Sequence, residues 1–308
     1  MGVDNTCCLC KSFVPGDSGA ETASVRSNVR PFHTSAFPLW RCPLCRSIHA
    51  AAPADLAQAY RLYPFFGQKL DWGLRCAYRR LTRRLRRAGL APGQRTLDFG
   101  CGSGLLVQYL QEQGFDAVGY DPYSSGHGDT DRLNVPYDAV IAQDVIEHDE
   151  NPLAVLGRLD GLARPGAFIA IGTPNADAID LSRPEKFVHA LHQPYHRHIL
   201  ALPALLTAAA NLGWQTERIY TTPYTNMPVL SLPLLHHYMR CFDGTINVLF
   251  DRPMNSARLW LSPETAFYLI FGYWLCDAAD VVAIFRKPPL KTEPKEHGSR
   301  NDHRQTNV

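Results

Sequence analysis

The chain is short of several things, and each shortage narrows what it does. Among 308 residues the basic and acidic side chains nearly cancel, 31 against 29, leaving a formal net charge of +2. That balance is too small to argue by itself for nucleic-acid binding. No signal peptide precedes the first cysteines, and nine cysteines cannot all pair, which points to a reducing, cytoplasmic compartment. The strongly apolar stretch from Ala266 to Cys276 ends at Asp277 after eleven residues, too short to span a bilayer. Charged residues make up 19% and hydrophobic residues 45%, so the chain is globular rather than disordered. Beyond Pro288 apolar side chains nearly vanish, and 288–308 is expected to be a disordered tail.

Acids are missing altogether from Trp72 to Leu97, where seven arginines fall between Arg75 and Arg87. Leu74, Tyr78, Leu81 and Leu85 form one apolar stripe, so this stretch is a helix with arginines on its other faces. Two readings stay open: a phosphate-binding helix, facing RNA or anionic lipid, or a solvated linker over 56–92.

The richest stretch is Leu97-Asp98-Phe99-Gly100-Cys101-Gly102-Ser103-Gly104. A β-prone run, Arg95 to Phe99, feeds three glycines on alternate positions, and a helix pattern follows from Leu105 to Gln113. Glycines there let the backbone turn sharply and approach a ligand, and the helix N-terminus offers free N–H groups beside it. A dinucleotide-binding G-x-G-x-x-G loop would need glycine where Leu105 stands, and would not need the acid at Asp98. A second strand, Phe115 to Tyr120, ends in Asp121, an acid able to accept both hydroxyl hydrogens of a ribose. Tyr137 to Ala142 reads as a buried strand running into Gln143-Asp144-Val145-Ile146-Glu147-His148, and Arg164-Pro165-Gly166 turns the chain into a further strand ending near Asn175.

These four stretches, in this order, resemble class I S-adenosylmethionine-dependent methyltransferases over roughly residues 90 to 220. The resemblance implies a Rossmann-like, three-layer α/β fold with a seven-stranded sheet whose last strand runs antiparallel. It also implies that Asp98 sits near the methionine end of S-adenosylmethionine, that Gly100, Gly102 and Gly104 cradle it with Cys101 beside them, and that Asp121, next to Pro122, holds the ribose. Asp144 and Val145 would border the adenine or the methionine. Only about fifteen residues separate Asp121 from the next sheet strand, so one edge of the sheet is abbreviated.

Cys7-Cys8-Leu9-Cys10 and Cys42-Pro43-Leu44-Cys45 supply two C-x-x-C pairs, the spacing of a four-cysteine zinc site. With Cys7, Cys10, Cys42 and Cys45 as ligands no coordination position stays open, and the zinc would be structural. Cys8 is read as a spectator or a substitute for Cys7, and a disulfide pair or free thiols form the competing reading. The segment 1–55 then resembles the ribbon that opens many bacterial glycan and natural-product methyltransferases, though a group of rRNA methyltransferases carries one too.

His148, in the Glu-His pair after the fourth strand, is the first candidate to orient or deprotonate an acceptor. Of His189, His192, His196 and His198, before a helix from Leu202, His196 or His198 is the second. Strand patterns at Trp214 to Thr221 and Asp280 to Lys287 close the domain, 93–287, and between them 222–279 is a mainly helical insertion, expected to cover the acceptor site as a lid. Phe267, Tyr268, Phe271, Tyr273 and Trp274 are expected to line an apolar pocket there, or to rest on a membrane surface. The reading is a methyltransferase acting on a small molecule, a glycan or a lipid-linked acceptor. An RNA methyltransferase gripping RNA with ribbon and arginine helix is the alternative, and a non-catalytic scaffold the second, against which the complete set of acids and glycines argues.

Overall fold

The computed structural model describes residues 5–14, 20–252, 257–276 and 279–289. The expected tail, 288–308, lies outside the described residues apart from Pro288 and Pro289. The chain opens with a hairpin of β1 (Asn5–Thr6) and β2 (Phe13–Val14), then β3 (Thr22–Arg26), β4 (Ala36–Arg41) and β5 (Ile48–Ala50). A short α1 (Leu56–Tyr60) and the arginine-rich α2 (Trp72–Arg87) lead into β6 (Arg95–Phe99), α3 (Leu105–Glu112), β7 (Asp116–Tyr120), β8 (Tyr137–Gln143), α4 (Pro152–Leu162) and β9 (Ala163–Pro174). After them come α5 (Val188–Leu191), β10 (His198–Ile199), α6 (Leu202–Asn211) and β11 (Gln215–Tyr220). The insertion holds α7 (Leu232–Arg240), α8 (Val248–Asp251), α9 (Ala257–Trp260) and α10 (Pro263–Phe271), and β12 (Asp280–Arg286) closes the fold.

The large sheet runs β11-β12-β9-β8-β6-β7, with β6 to β9 parallel and β12 antiparallel to both neighbours. Both faces are buried over β6, β8, β9 and β12, which is why these strands read as largely apolar runs, whereas the edge strand β11 is exposed. Along β8, Val140 and Ala142 pack with Leu156, Leu205 and Trp214 on the side of α4 and α6. Ala139 and Ile141 pack with Leu81, Leu85, Leu106 and Leu110 on the side of α2 and α3. The sheet has six strands among the described residues, not seven. Where the missing edge strand would pair with β7, the Arg132 guanidinium instead donates to the Gly119 carbonyl, and Tyr137 hydroxyl fixes the Arg132 carbonyl at 2.7 Å. A charged side chain thus blunts the exposed edge.

A second sheet runs β10-β5-β4-β3, so that a strand from beyond β9 completes the N-terminal strands. Arg41, 3% exposed, donates from Nη1 to the Ala176 carbonyl at 2.8 Å and from Nη2 to the Ile179 carbonyl at 2.5 Å, while its Nε pairs with Glu21 at 2.7 Å. The insertion docks on the same N-terminal segment: Ile246 N–H donates to the Asn28 carbonyl at 2.8 Å, and Arg30 pairs with Asp243 and Asp251. No helix among the described residues is long and apolar enough to cross a membrane.

Arg41→Ala strands buried carbonyls at 176 and 179, and each unsatisfied group costs about 1–3 kcal/mol. Urea unfolding is expected to register a loss of about 3 kcal/mol; an unchanged midpoint contradicts the clamp between the N-terminal sheet and the larger one.

Candidate active site

The parallel strands β6, β8 and β9 end at one side, where β6 stands between β7 and β8 and the strand order across the sheet reverses. Ligands of open α/β sheets bind at such a switch point. A cleft of about 1500 Å³ opens there. Its floor is the glycine loop. Gly100, Gly102 and Gly104 all have φ between 55° and 78°, the left-handed region that a side chain disfavours. A Cβ on Gly100 would lie 2.4 Å from Val145 Cγ2, and one on Gly104 2.3 Å from His127 Nε2, whereas one on Gly102 would meet nothing within 4 Å. Gly102 therefore presents bare backbone to open space. Asp121 fixes the loop, accepting from Gly102 N–H at 2.9 Å and Tyr123 N–H at 2.8 Å.

Asp98, Gly100, Cys101, Gly102, Asp121, Pro122, Asp144 and Val145 line the cleft together, while Gly104 stands behind it against His127. Burial pushes the Asp98 carboxyl up to about 7, helped by the charge of Asp121. Asp144 lies open to the cleft but deep in the protein, and burial raises it to about 6. Asp280 rises to about 7 by burial and then by the charge of Asp144. Carboxyls gathered at such depth are stabilised by a positively charged ligand.

The opposite wall is aromatic and imidazole-rich. His148, His192 and His196 are 5–8% exposed and face one another, with His196 ring centroids 4.7 Å from His148 and 5.1 Å from His192. Burial holds all of them below the usual histidine range, His196 at about 4, so the rings are neutral. Glu147, fully buried, is pushed well up by burial and by Asp144. Glu147 Oε1, His148 Nε2 and His192 Nε2 have no hydrogen-bond partner. Tyr60, Tyr63 and Tyr195 pack around His148 and His192, and Asn28 carries both His189 and His192.

At the N-terminus Cys7, Cys10, Cys42 and Cys45 bring their sulfurs within 4.8 Å of one another. The Cys7–Cys45 and Cys10–Cys42 separations, 3.5 and 3.6 Å, are far too long for disulfides and all four thiols are free. Both knuckles repeat one backbone pattern. Cys7 N–H donates to the Ser12 carbonyl and Lys11 N–H to Cys7; Cys42 N–H donates to Ser47 and Arg46 N–H to Cys42. Lys11 and Arg46 take matching positive φ values, 59° and 63°.

Several expectations need correction. His198 faces away from the cleft, its Nδ1 2.9 Å from Nδ1 of His49 in the N-terminal sheet, because β10 pairs with β5. Of the expected apolar lining, Phe267 and Tyr268 border the cleft, whereas Phe271 and Trp274 lie on an outer shallow surface and Tyr273 packs under Arg80. The arginine helix is partly spoken for: Arg75 pairs with Glu112, Arg80 and Arg84 hold the carbonyls of Asn226 and Thr222, and Arg86 lies over Phe115. Sequence reasoning missed Tyr60, Tyr63, Asn28 and His192 as wall residues. The aromatic run Tyr60 to Phe66 was the available signal; Asn28 carried none.

Residues 73–219 match the family model described as a methyltransferase domain. The ubiquinone biosynthesis O-methyltransferase of Bradyrhizobium sp. (strain ORS 278) is 29% identical over 119 residues, covering 32% of this chain and 47% of that protein. That of Rhodopseudomonas palustris (strain HaA2) is 28% identical over 140 residues, covering 39% and 54%. The chain spans about half the length of the curated relatives it matches. A solved structure of a putative sarcosine dimethylglycine methyltransferase from Galdieria sulphuraria aligns at a TM-score of 0.43 and 19% identity, over 68% of this chain and 85% of that one. The stretch 73–219 thus carries a methyltransferase domain.

The glycines separate folding from ligand access. Gly100→Ala, with its Cβ against Val145, is expected to cost about 3 kcal/mol or more, and Gly102→Ala about 1–2 kcal/mol. Equal costs in urea unfolding would contradict the assignment of Gly102 to the open floor.

Proposed function

We propose that the protein transfers a methyl group from S-adenosylmethionine to a hydroxyl oxygen of a small molecule with an apolar portion. The observation that carries this reading is that one cleft is lined by a bare glycine loop, by a cluster of acids and by imidazoles with unpartnered nitrogens. The residues present fit the donor. Gly102 leaves room for close approach, Asp121 has lone pairs left for ribose hydroxyls, and Asp98 and Asp144 suit a cationic methionine end. Cys101, Pro122 and Val145 complete its surroundings, with Gly104 shaping the turn.

When bound, the donor supplies a methyl group on a sulfonium, whose S–C bonding pair stays on sulfur while an acceptor oxygen lone pair makes the new bond. The protein's task is alignment. The floor fixes the donor, and His148 and His196 orient the acceptor oxygen in line with the methyl carbon, where positioning supplies much of the rate. The free Nε2 atoms of the imidazole wall take the hydroxyl proton, which neutral rings can do. Phe267 and Tyr268 border the route for an apolar portion. The relatives' printed activity, ubiquinone biosynthesis O-methylation, supports a hydroxyl on an apolar framework ahead of a glycan or RNA. The self-engaged arginines of α2 weaken the RNA reading further.

The four cysteines fit a structural zinc. Thiolates about 2.3 Å from a tetrahedral ion lie about 3.8 Å apart, close to the separations of 3.5 and 3.6 Å. Elemental analysis is expected to find zinc that Cys42→Ser with Cys45→Ser removes; retention in that variant overturns the assignment.

Donor binding should depend on pH with a defined sign. The Asp98 carboxyl, near 7 without ligand, must ionise to meet a sulfonium, so affinity rises as pH climbs through 7 and then levels. Below 7 calorimetry is expected to find up to about tenfold weaker binding per pH unit, the limit for one proton. Asp98→Asn should weaken binding and flatten most of that slope. A flat wild-type profile removes Asp98 from the donor site. With a methyl-labelled donor, label is expected in a small hydroxylated product; label entering only structured RNA would overturn the acceptor reading.

A further inference from the structure

The imidazole wall has an order that a proton acceptor alone does not require. His196 Nδ1 donates to the Ala190 carbonyl at 2.7 Å, and His192 Nδ1 donates to Asn28 Oδ1 at 2.8 Å. His148 Nδ1 sits 2.8 Å from the Tyr60 hydroxyl, an oxygen able to accept in the same way. For His192 and His196 the partner oxygen can only accept, which leaves the lone pair on Nε2, and the Tyr60 hydroxyl permits the same tautomer at His148. Glu147 repeats the theme, with Oε2 accepting from Thr173 Oγ1 at 3.0 Å and Oε1 unpartnered. Metal-ligating histidines are oriented in this manner, the far nitrogen donating to an oxygen while the near one faces the ion. Buried polar atoms without partners call for an explanation, and two of them, Glu147 Oε1 and His148 Nε2, belong to one group of close ligand atoms. Ligand atoms of Glu147, His148 and His196 lie within 4.8 Å of one another, with His196 Nε2 4.0 Å from Glu147 Oε1. Donors about 2.1 Å from one ion are roughly 3.0–3.4 Å apart, so modest side-chain movement closes the set.

We propose that Glu147, His148 and His196 bind a divalent transition-metal ion through Oε1, Nε2 and Nε2, with coordination positions left open toward the cleft. Two imidazole nitrogens and one carboxylate oxygen suit zinc, cobalt, manganese or iron(II), whereas magnesium prefers an all-oxygen shell. Nothing in this site overlaps the four-cysteine cluster. The role of the ion rests on the methyl-transfer reading: it holds the acceptor oxygen and lowers the pKa of its hydroxyl. The O–H bond then breaks toward His192 Nε2, which stays free beside the ion, and the electron pair left on oxygen forms the bond to the methyl carbon as the S–C pair returns to sulfur.

Cobalt(II) loading of the full chain tests the site. Absorption spectroscopy and elemental analysis are expected to find two equivalents, one with thiolate-to-cobalt charge transfer and one without. Glu147→Gln and His196→Ala should each remove the second equivalent, leave the thiolate signature, and keep donor affinity in calorimetry. A wild-type chain that takes one equivalent, all of it thiolate-bound, overturns the proposal while leaving the methyl-transfer reading intact if the donor still binds. So does a second thiolate-bearing equivalent lost in Cys8→Ser, which would belong to the neighbouring group of Cys8, His49 and His198.

Discussion

Two backbone pairs, His198 opposite His49 and Ile199 opposite Ile48, hold the imidazole wall in place. Through them the segment that carries His192 and His196 becomes the edge of the N-terminal sheet instead of a free loop. Neighbouring contacts reinforce the join. Arg197 N–H donates to the Glu147 carbonyl at 2.6 Å, its guanidinium reaches the Ala52 carbonyl at 2.7 Å, and Ala50 N–H donates to the Arg197 carbonyl at 2.9 Å. A wall of buried, unpartnered nitrogens and a carboxylate oxygen costs free energy, and it persists only where the surrounding frame leaves it no alternative. The N-terminal sheet is that frame.

The cleft is consequently polar in a directional sense. Its floor carries Asp98, Asp144 and Asp280, all raised by burial, Asp98 further by Asp121 and Asp280 further by Asp144, and favours a cation. Its wall carries rings that burial keeps neutral and free to accept a proton or coordinate an ion. The floor draws mainly on the segments after β6, β7 and β8, within the matched residues 73–219, and Asp280 joins it from β12. The wall depends on contacts between residues far apart in sequence, such as Asn28 with His192 and Tyr60 with His148. On the proposed reading, the donor side and the acceptor side are thus assembled from separate parts of the chain.

That division explains what was legible in the sequence. The glycine loop and Asp121 are local devices: a positive φ demands glycine on the spot, and the acid sits at a strand tip, so motif and geometry coincide. The strands of the parallel sheet were readable from apolar runs, and the short Asp121 to Tyr137 connection already marked an abbreviated edge. The substitution of Arg132 for the missing strand was not readable, because a guanidinium capping one carbonyl leaves no pattern. That His198, the alternative to His196, turns away from the cleft was hidden for a similar reason. It stands two residues from His196, but only His198 lies in β10, where pairing with β5 sets its ring against His49, whereas His196 directly follows the turn at 193–195. Asn28 and Tyr60 matter only through long-range contacts, which spacing along the chain does not encode.

If the N-terminal sheet frames the imidazole wall, disturbing its cysteine cluster must be felt across the cleft. Amide hydrogen exchange of the full chain, before and after chelation, measures this directly. The account predicts that protection falls not only over residues 5–50 but also over 187–200, while β6 and β8 at the centre of the large sheet keep theirs. A change confined to residues 5–50 would contradict it, leaving the N-terminal segment an appendage beside a self-sufficient site.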